Sequence, residues 1–103
     1  MLIVREIMHC RPGKVRPLVE KFLKMAELTE RKGWGRMRVM TDLSGERYWT
    51  LVSEMEVESL DAFMSMQPGQ EDAAEFDEIM QGYHELVESG RREIFTLEGP
   101  RTG

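Results

Sequence analysis

The stretch LIVREIMHC, Leu2 to Cys10, is the strongest constraint on the fold. Its residues alternate as a strand should, with Leu2, Val4, Glu6, Met8 and Cys10 on one face and Ile3, Arg5, Ile7 and His9 on the other. Both faces are largely apolar, so both need cover. The run stops at RPGK, Arg11 to Lys14, and a different period takes over at once. Val15, Leu18, Val19, Phe22, Met25 and Ala26 recur at helical spacing, with Glu20, Lys21, Lys24, Glu27 and Arg31 opposite. This predicts an amphipathic helix that ends near Lys32 and Gly33.

Residues 34–57 read as a β-hairpin around DLSGE, with Gly45 as the left-handed residue of a bulged turn and Asp42 opposite Glu46. That register puts Met37, Val39, Trp49, Leu51 and Met55 on the helix-facing side. Trp34, Arg36, Arg38, Met40, Tyr48, Thr50, Val52 and Glu54 fall on the other side, a mixture suited to a subunit contact. Ser59 is a candidate N-cap for a short helix, which QPGQ interrupts at Pro68 and Gly69. A longer helix is expected from Glu71 to Ser89, with Phe76, Ile79, Met80, Tyr83, Leu86 and Val87 as its stripe and Gly90 as its terminator. RREIFTLEG then reads as a strand.

The order strand, helix, strand, strand, helix pair, strand is that of a ferredoxin-like split βαβ, an α+β fold with a four-stranded antiparallel sheet and helices on one face. The chain of 103 residues is expected to form one domain over residues 1–98, followed by a flexible tail at 99–103. Its formal net charge of -5 argues against nucleic acid as a partner. No apolar run approaches the roughly 18 residues of a spanning helix, and no secretory signal opens the chain, so a cytoplasmic protein is expected. One cysteine and two histidines are too few for a structural metal site, and no metal is expected.

The early Arg5–Glu6 pair, the RPGK that launches the first helix and the order of elements together resemble the dimeric α+β barrel superfamily, specifically its NIPSNAP-like and antibiotic-biosynthesis-monooxygenase-like domains. The resemblance implies a homodimer joined through its sheet faces, with a pocket in each subunit between helices and sheet. It also implies widely divergent roles, from cofactor-free oxygenation of aromatic compounds to heme degradation to ligand sensing. Heme-degrading relatives use a helix histidine, which His84 resembles, but pair it with an early-strand Asn and a Trp. Here Glu6 stands where the amide is expected, and no cofactor is expected.

The pocket is therefore expected to be lined by Trp49, Leu51, Phe76, Met80 and Tyr83, with His84 or His9 at its rim and Phe63 and Met66 near its entrance. Cys10 is expected to be a buried, unreactive thiol. Glu6, inside an otherwise apolar strand face, needs a cation such as Arg36 or Arg38. An Arg–Glu network at a subunit interface is the first reading, and a base facing the pocket the second. The pocket admits two functions: a NIPSNAP-like domain that binds a small organic ligand, or a cofactor-independent monooxygenase acting on an aromatic substrate.

Overall fold

The computed structural model describes residues 1–66 and 69–100. Its elements run β1 (Leu2–Cys10), α1 (Val15–Arg31), β2 (Met37–Thr41), β3 (Thr50–Val57), α2 (Leu60–Met64), α3 (Gln70–Met80), α4 (Tyr83–Leu86) and β4 (Val87–Thr96). The strands form one antiparallel sheet in the order β2-β3-β1-β4. This is the ferredoxin-like α+β arrangement, with β1 in the interior of the sheet. The doubly apolar sequence of β1 demanded that position.

Helices cover one face of the sheet. Met8 and Cys10 of β1, Leu18, Val19 and Phe22 of α1 and Leu51 of β3 form the main buried cluster. Leu18 and Leu51 are wholly buried, and each contributes about 2 to 3 kcal/mol by leaving water. A second cluster holds Val4, Met55 and Val57, with Leu2, Phe63 and Met66 packed against it.

The two ends of α1 set the path of the chain into and out of the helix. Pro17 occupies the first turn, where its missing N–H costs no helical hydrogen bond. At the other end Gly33 takes φ +74°, its N–H bonds to Glu30 O at 3.0 Å, and Trp34 N–H bonds to Thr29 O at 2.9 Å. This paired pattern is a Schellman motif, which needs a left-handed residue and therefore favours glycine. It turns Trp34 back toward the helix side of the sheet, not onto the opposite face with Arg38 and Met40 as the alternation predicts.

The hairpin register also differs from expectation. Thr41 pairs with Leu51 and Arg38 with Glu54, so the connecting loop spans residues 42–49 and Asp42 N–H reaches Thr50 O, not Glu46. Asp42 Oδ1 accepts from Thr50 N–H at 2.8 Å, which stabilises the wider loop. Gly45 is not left-handed; Trp49 is, at φ 59°, and it is 43% exposed instead of lying on the core face. The registers differ by an even number of residues, so the other faces survive, with Met37 and Met55 toward the helices and Arg38 and Glu54 away from them.

The long helix expected from Glu71 to Ser89 stops at Met80. Gly82, at φ +82°, breaks the chain into the short α4, and β4 already begins at Val87. Gly90 therefore lies within β4, opposite Met8, where a Cβ would sit 2.9 Å from Met8 Sδ. Ser59 caps α2 as expected, accepting from Ala62 N–H at 3.1 Å. Of the QPGQ break, Gln67 and Pro68 lie outside the described residues, as do residues 101–103 of the expected tail.

Candidate functional site

Alternation along the sheet places Arg92, Glu6, Ser53 and Val39 in one row across the four strands, on the helix side. Arg92 Nε donates to Glu6 Oε1 at 2.5 Å, and the Arg92 guanidinium lies 5.0 Å from the centre of the Phe63 ring of α2. The polar pair is thus fixed from below by the sheet and from above by an aromatic face. Glu6 finds its partner in Arg92 and not in Arg36 or Arg38, because it faces the helices and those arginines do not belong to its row. Its position corrects the expected interface network and leaves it directed into a cleft.

That cleft measures about 270 Å³. Its walls are Met25, Met37, Met55, Met64, Met66, Trp34, Phe63 and Phe76, and its polar edge is made by Glu6, Arg92 and Ser53. Thr29 also lines the cleft, and its hydroxyl donates to Ala26 O at 2.9 Å, which leaves the oxygen able to act only as an acceptor. Flexible thioethers around a small set of convergent polar groups make an adaptable site for a small organic molecule.

The expected pocket residues are dispersed. Phe76 lines this cleft. Leu51 and Tyr83 meet in the main core cluster, where Tyr83 O–H donates to Met8 Sδ at 3.1 Å and burial pushes the phenol pKa up, with Glu6 and Cys10 adding to the shift. Met80 is half-buried at the end of α3. His84 is exposed and meets Tyr83 edge-on, ring centres 5.4 Å apart. Trp49 borders a separate groove of about 610 Å³ with Gly13, Val15, Arg16 and Tyr48. Phe63 and Met66, expected at the entrance, do line the cleft.

His9 faces the opposite side of the sheet and is only 8% exposed. Thr50 Oγ1 donates to Arg47 O at 2.9 Å, which leaves it to accept from His9 Nδ1–H at 3.2 Å. Arg91 Nη1 then donates to His9 Nε2 at 3.3 Å. The network assigns a neutral imidazole, and burial, with Arg47 and Arg91 close by, holds its pKa below the ordinary value. Cys10 is buried, and burial followed by the Asp42 charge pushes its thiol pKa up, opposite to what a nucleophile needs.

The open face carries a second charged row, Glu93–Arg5–Glu54–Arg38. Glu54 is only 5% exposed, and its two oxygens accept from Arg5 Nε at 2.7 Å and from Arg38 Nη2. The hydrogen bond from Arg5, supported by Arg38, holds its carboxyl pKa below the usual range against the opposing effect of burial. Sequence alternation places Glu54 on this face with Arg38, as the register shows. Arg92 was missed because both faces of β4 carry an apolar residue, Ile94 on its own face and Phe95 on the other, so alternation leaves open which face meets the helices.

Fold and site together define a ferredoxin-like α+β domain with a methionine-lined cleft under its helices and a charged, partly apolar open sheet face. Comparison with solved structures places the chain among architectures of that class. An uncharacterized NIPSNAP domain protein from Burkholderia xenovorans superposes with a TM-score of 0.74 at 15% identity, over 98% of this chain and 100% of that one. A NIPSNAP family protein from Agrobacterium tumefaciens gives 0.74 at 16% identity, over 94% and 93% of the two chains. A candidate antibiotic biosynthesis monooxygenase from Deinococcus radiodurans gives 0.72 at 12% identity, over 99% and 97%. The fold is thus the one shared by NIPSNAP and antibiotic-biosynthesis-monooxygenase-like domains. No family model matches the chain, and no curated protein matches it. Among the described residues no helix is long and apolar enough to cross a membrane, and no group of three or more His, Cys, Asp or Glu side chains is arranged to hold a metal ion.

Proposed function

We propose that this chain is a homodimeric, NIPSNAP-like cytoplasmic domain that binds a small organic ligand in the cleft between its helices and sheet. The observation that carries the ligand reading is the Glu6–Arg92 pair at the edge of a cleft walled by methionine and aromatic side chains. Such a pair in an otherwise apolar recess gives orientation as well as affinity.

The dimer reading draws on the open face. Ile3, Ile7, Met40, Val52 and Phe95 surround the Arg5–Glu54–Arg38 cluster there, and Met40 and Phe95 are 40% and 47% exposed. A second copy would cover Met40 and Phe95 and the half-buried Ile3 and Val52, and the row of alternating charge is complementary to itself when one copy is turned against another. The subunit-bridging role suits this face because its apolar residues are clustered and not scattered.

Light scattering at micromolar concentration tests the dimer, which Phe95→Glu should dissociate without unfolding the subunit; a monomeric parent protein would contradict the proposal. The ligand reading is tested by labelling the methionine methyl groups with carbon-13 and titrating small aromatic compounds. Shifts of Met25, Met37, Met55, Met64 and Met66 that leave Met1 and Met40 unmoved are expected, and shifts elsewhere only would refute it.

A further inference from the structure

Resting on the reading of the cleft as a ligand site, we infer that it selects neutral molecules that present a hydrogen-bond donor and an acceptor side by side on one edge of a flat apolar body, of which a primary aromatic carboxamide is the simplest. The polar edge holds one anion and one cation joined by a single hydrogen bond among the described contacts, Arg92 Nε to Glu6 Oε1. Glu6 Oε2 remains as an acceptor, and the Arg92 Nη groups remain as donors. The two charges stand next to each other, so a ligand group that meets both is held by two charge-assisted hydrogen bonds.

A charged ligand meets a different field. A carboxylate is attracted by Arg92 and repelled at similar distance by Glu6, and an amidinium is attracted by Glu6 and repelled by Arg92. Either one also leaves a member of the pair without a complementary partner in a site the ligand has dried, and unpaired groups of that kind are the strongest source of discrimination. A carboxamide offers its carbonyl to Arg92 and its N–H to Glu6. Phe63, stacked on the guanidinium, holds the donor plane in place, and Ser53, next to Glu6 in the row, extends the edge.

The size of the cleft sets the body of the ligand. About 270 Å³ lies just below the usual range of small-molecule pockets, roughly 300 to 1,000 Å³, and suits one or two fused rings. Trp34 and Phe76 supply flat faces, while the methionines adjust to the outline.

The test titrates 2-naphthamide, 2-naphthoate and 2-naphthamidine at pH 7 into the full chain with carbon-13-labelled methionine methyls, following the cleft methionines. The amide is expected to bind about tenfold more tightly than either ion. Glu6→Gln should turn the preference toward naphthoate, and Arg92→Gln toward naphthamidine. Equal affinity for all three compounds at the cleft would leave the ligand site standing and overturn the selection inferred here. An unchanged ranking in both variants would overturn it as well. No cleft response to any compound would overturn the ligand site itself, and the inference with it. The ranking in the unmodified protein decides the matter even if a variant fails to fold.

Discussion

Arg5 and Glu54 are cross-strand partners on the open face of the sheet, and the contact between them is unequal: the carboxylate is almost wholly buried, whereas the guanidinium side chain is 44% exposed. The asymmetry decides which deletion costs more. Without Glu54, Arg5 and Arg38 can turn to water, so Glu54→Gln should cost on the order of 1 kcal/mol. Without Arg5, a buried carboxylate keeps only Arg38, and Arg5→Met should cost about 2 kcal/mol. Urea denaturation of both variants checks the order, and a larger loss for Glu54→Gln would reverse the assignment of which partner the fold shelters.

Gly82 and Gly90 both resist substitution, for different reasons. Gly82 has open space around its α-carbon but sits at φ +82°, so Gly82→Ala should lose about 1 kcal/mol to backbone strain, and Gly82→Asn less. At Gly90 an added methyl meets Met8 Sδ, the acceptor for Tyr83 O–H, and Gly90→Ala should cost about 1 to 3 kcal/mol. Combining Gly90→Ala with Met8→Ala should recover part of that loss, because the two changes share one space. Strict additivity in denaturation experiments would show that the crowding is relieved elsewhere.

The same two glycines show what the sequence could and could not convey. Strand faces were legible because the two-residue period is insensitive to an even register error: Leu51 and Met55 point to the helices although the loop is longer than expected. The break at Gly82 was not legible, since Tyr83, Leu86 and Val87 continue the apolar spacing of α3 and a glycine inside a helical pattern is tolerated. Arg92 was hidden for a different reason: alternation puts it with Ile94 and opposite Phe95 wherever β4 begins, and with an apolar residue on each face the pattern leaves open which one meets the helices. Trp49 was misplaced for a related reason, because no pattern signals a left-handed aromatic residue at the end of a loop.

His9 should make stability fall as pH drops through neutrality. Its folded pKa lies below the ordinary value of 6.5, so above that pH both folded and unfolded states are neutral and the residue has no effect. Below it the unfolded chain takes up the proton more readily, and stability declines until pH reaches the folded pKa. Glu54 adds a second, more acidic loss: its folded pKa is depressed, so its contribution is present above its unfolded value of 4.5 and disappears as pH falls through the folded one. Melting curves from pH 8 to 5 should show the first decline, and His9→Gln should remove it. A variant that retains the same pH profile would assign the effect to another group.

The attachment of α3 is expected to be sensitive to salt, because charge and not apolar area holds it down. Among its described residues only Ile79 is buried, while Phe76 is half-buried over the cleft. Against this small apolar contact stand three cations, Lys21 and Arg31 of α1 and Lys32 just beyond its end. Arg31 Nη2 donates to both oxygens of Glu75, at 2.6 and 2.7 Å, and Lys32 Nζ lies 2.7 Å from Asp72 Oδ2. Lys21 Nζ caps the far end, donating to Ile79 O at 3.1 Å and to Gln81 O. The exposed Arg31–Glu75 pair is individually weak and is screened at about 1 M salt, where the Debye length is about 3 Å, whereas the more sheltered Lys32–Asp72 pair is screened less. The Lys21 contacts reach backbone carbonyls beside the Gly82 break, and they hold the end of α3 at the point where the chain turns away. Hydrogen exchange in about 1 M sodium chloride should therefore accelerate in α3 while α1 and the strands remain protected, and Lys21→Met should produce the same pattern at low salt. Uniform acceleration across the sheet would instead show that α3 opens only when the whole domain does.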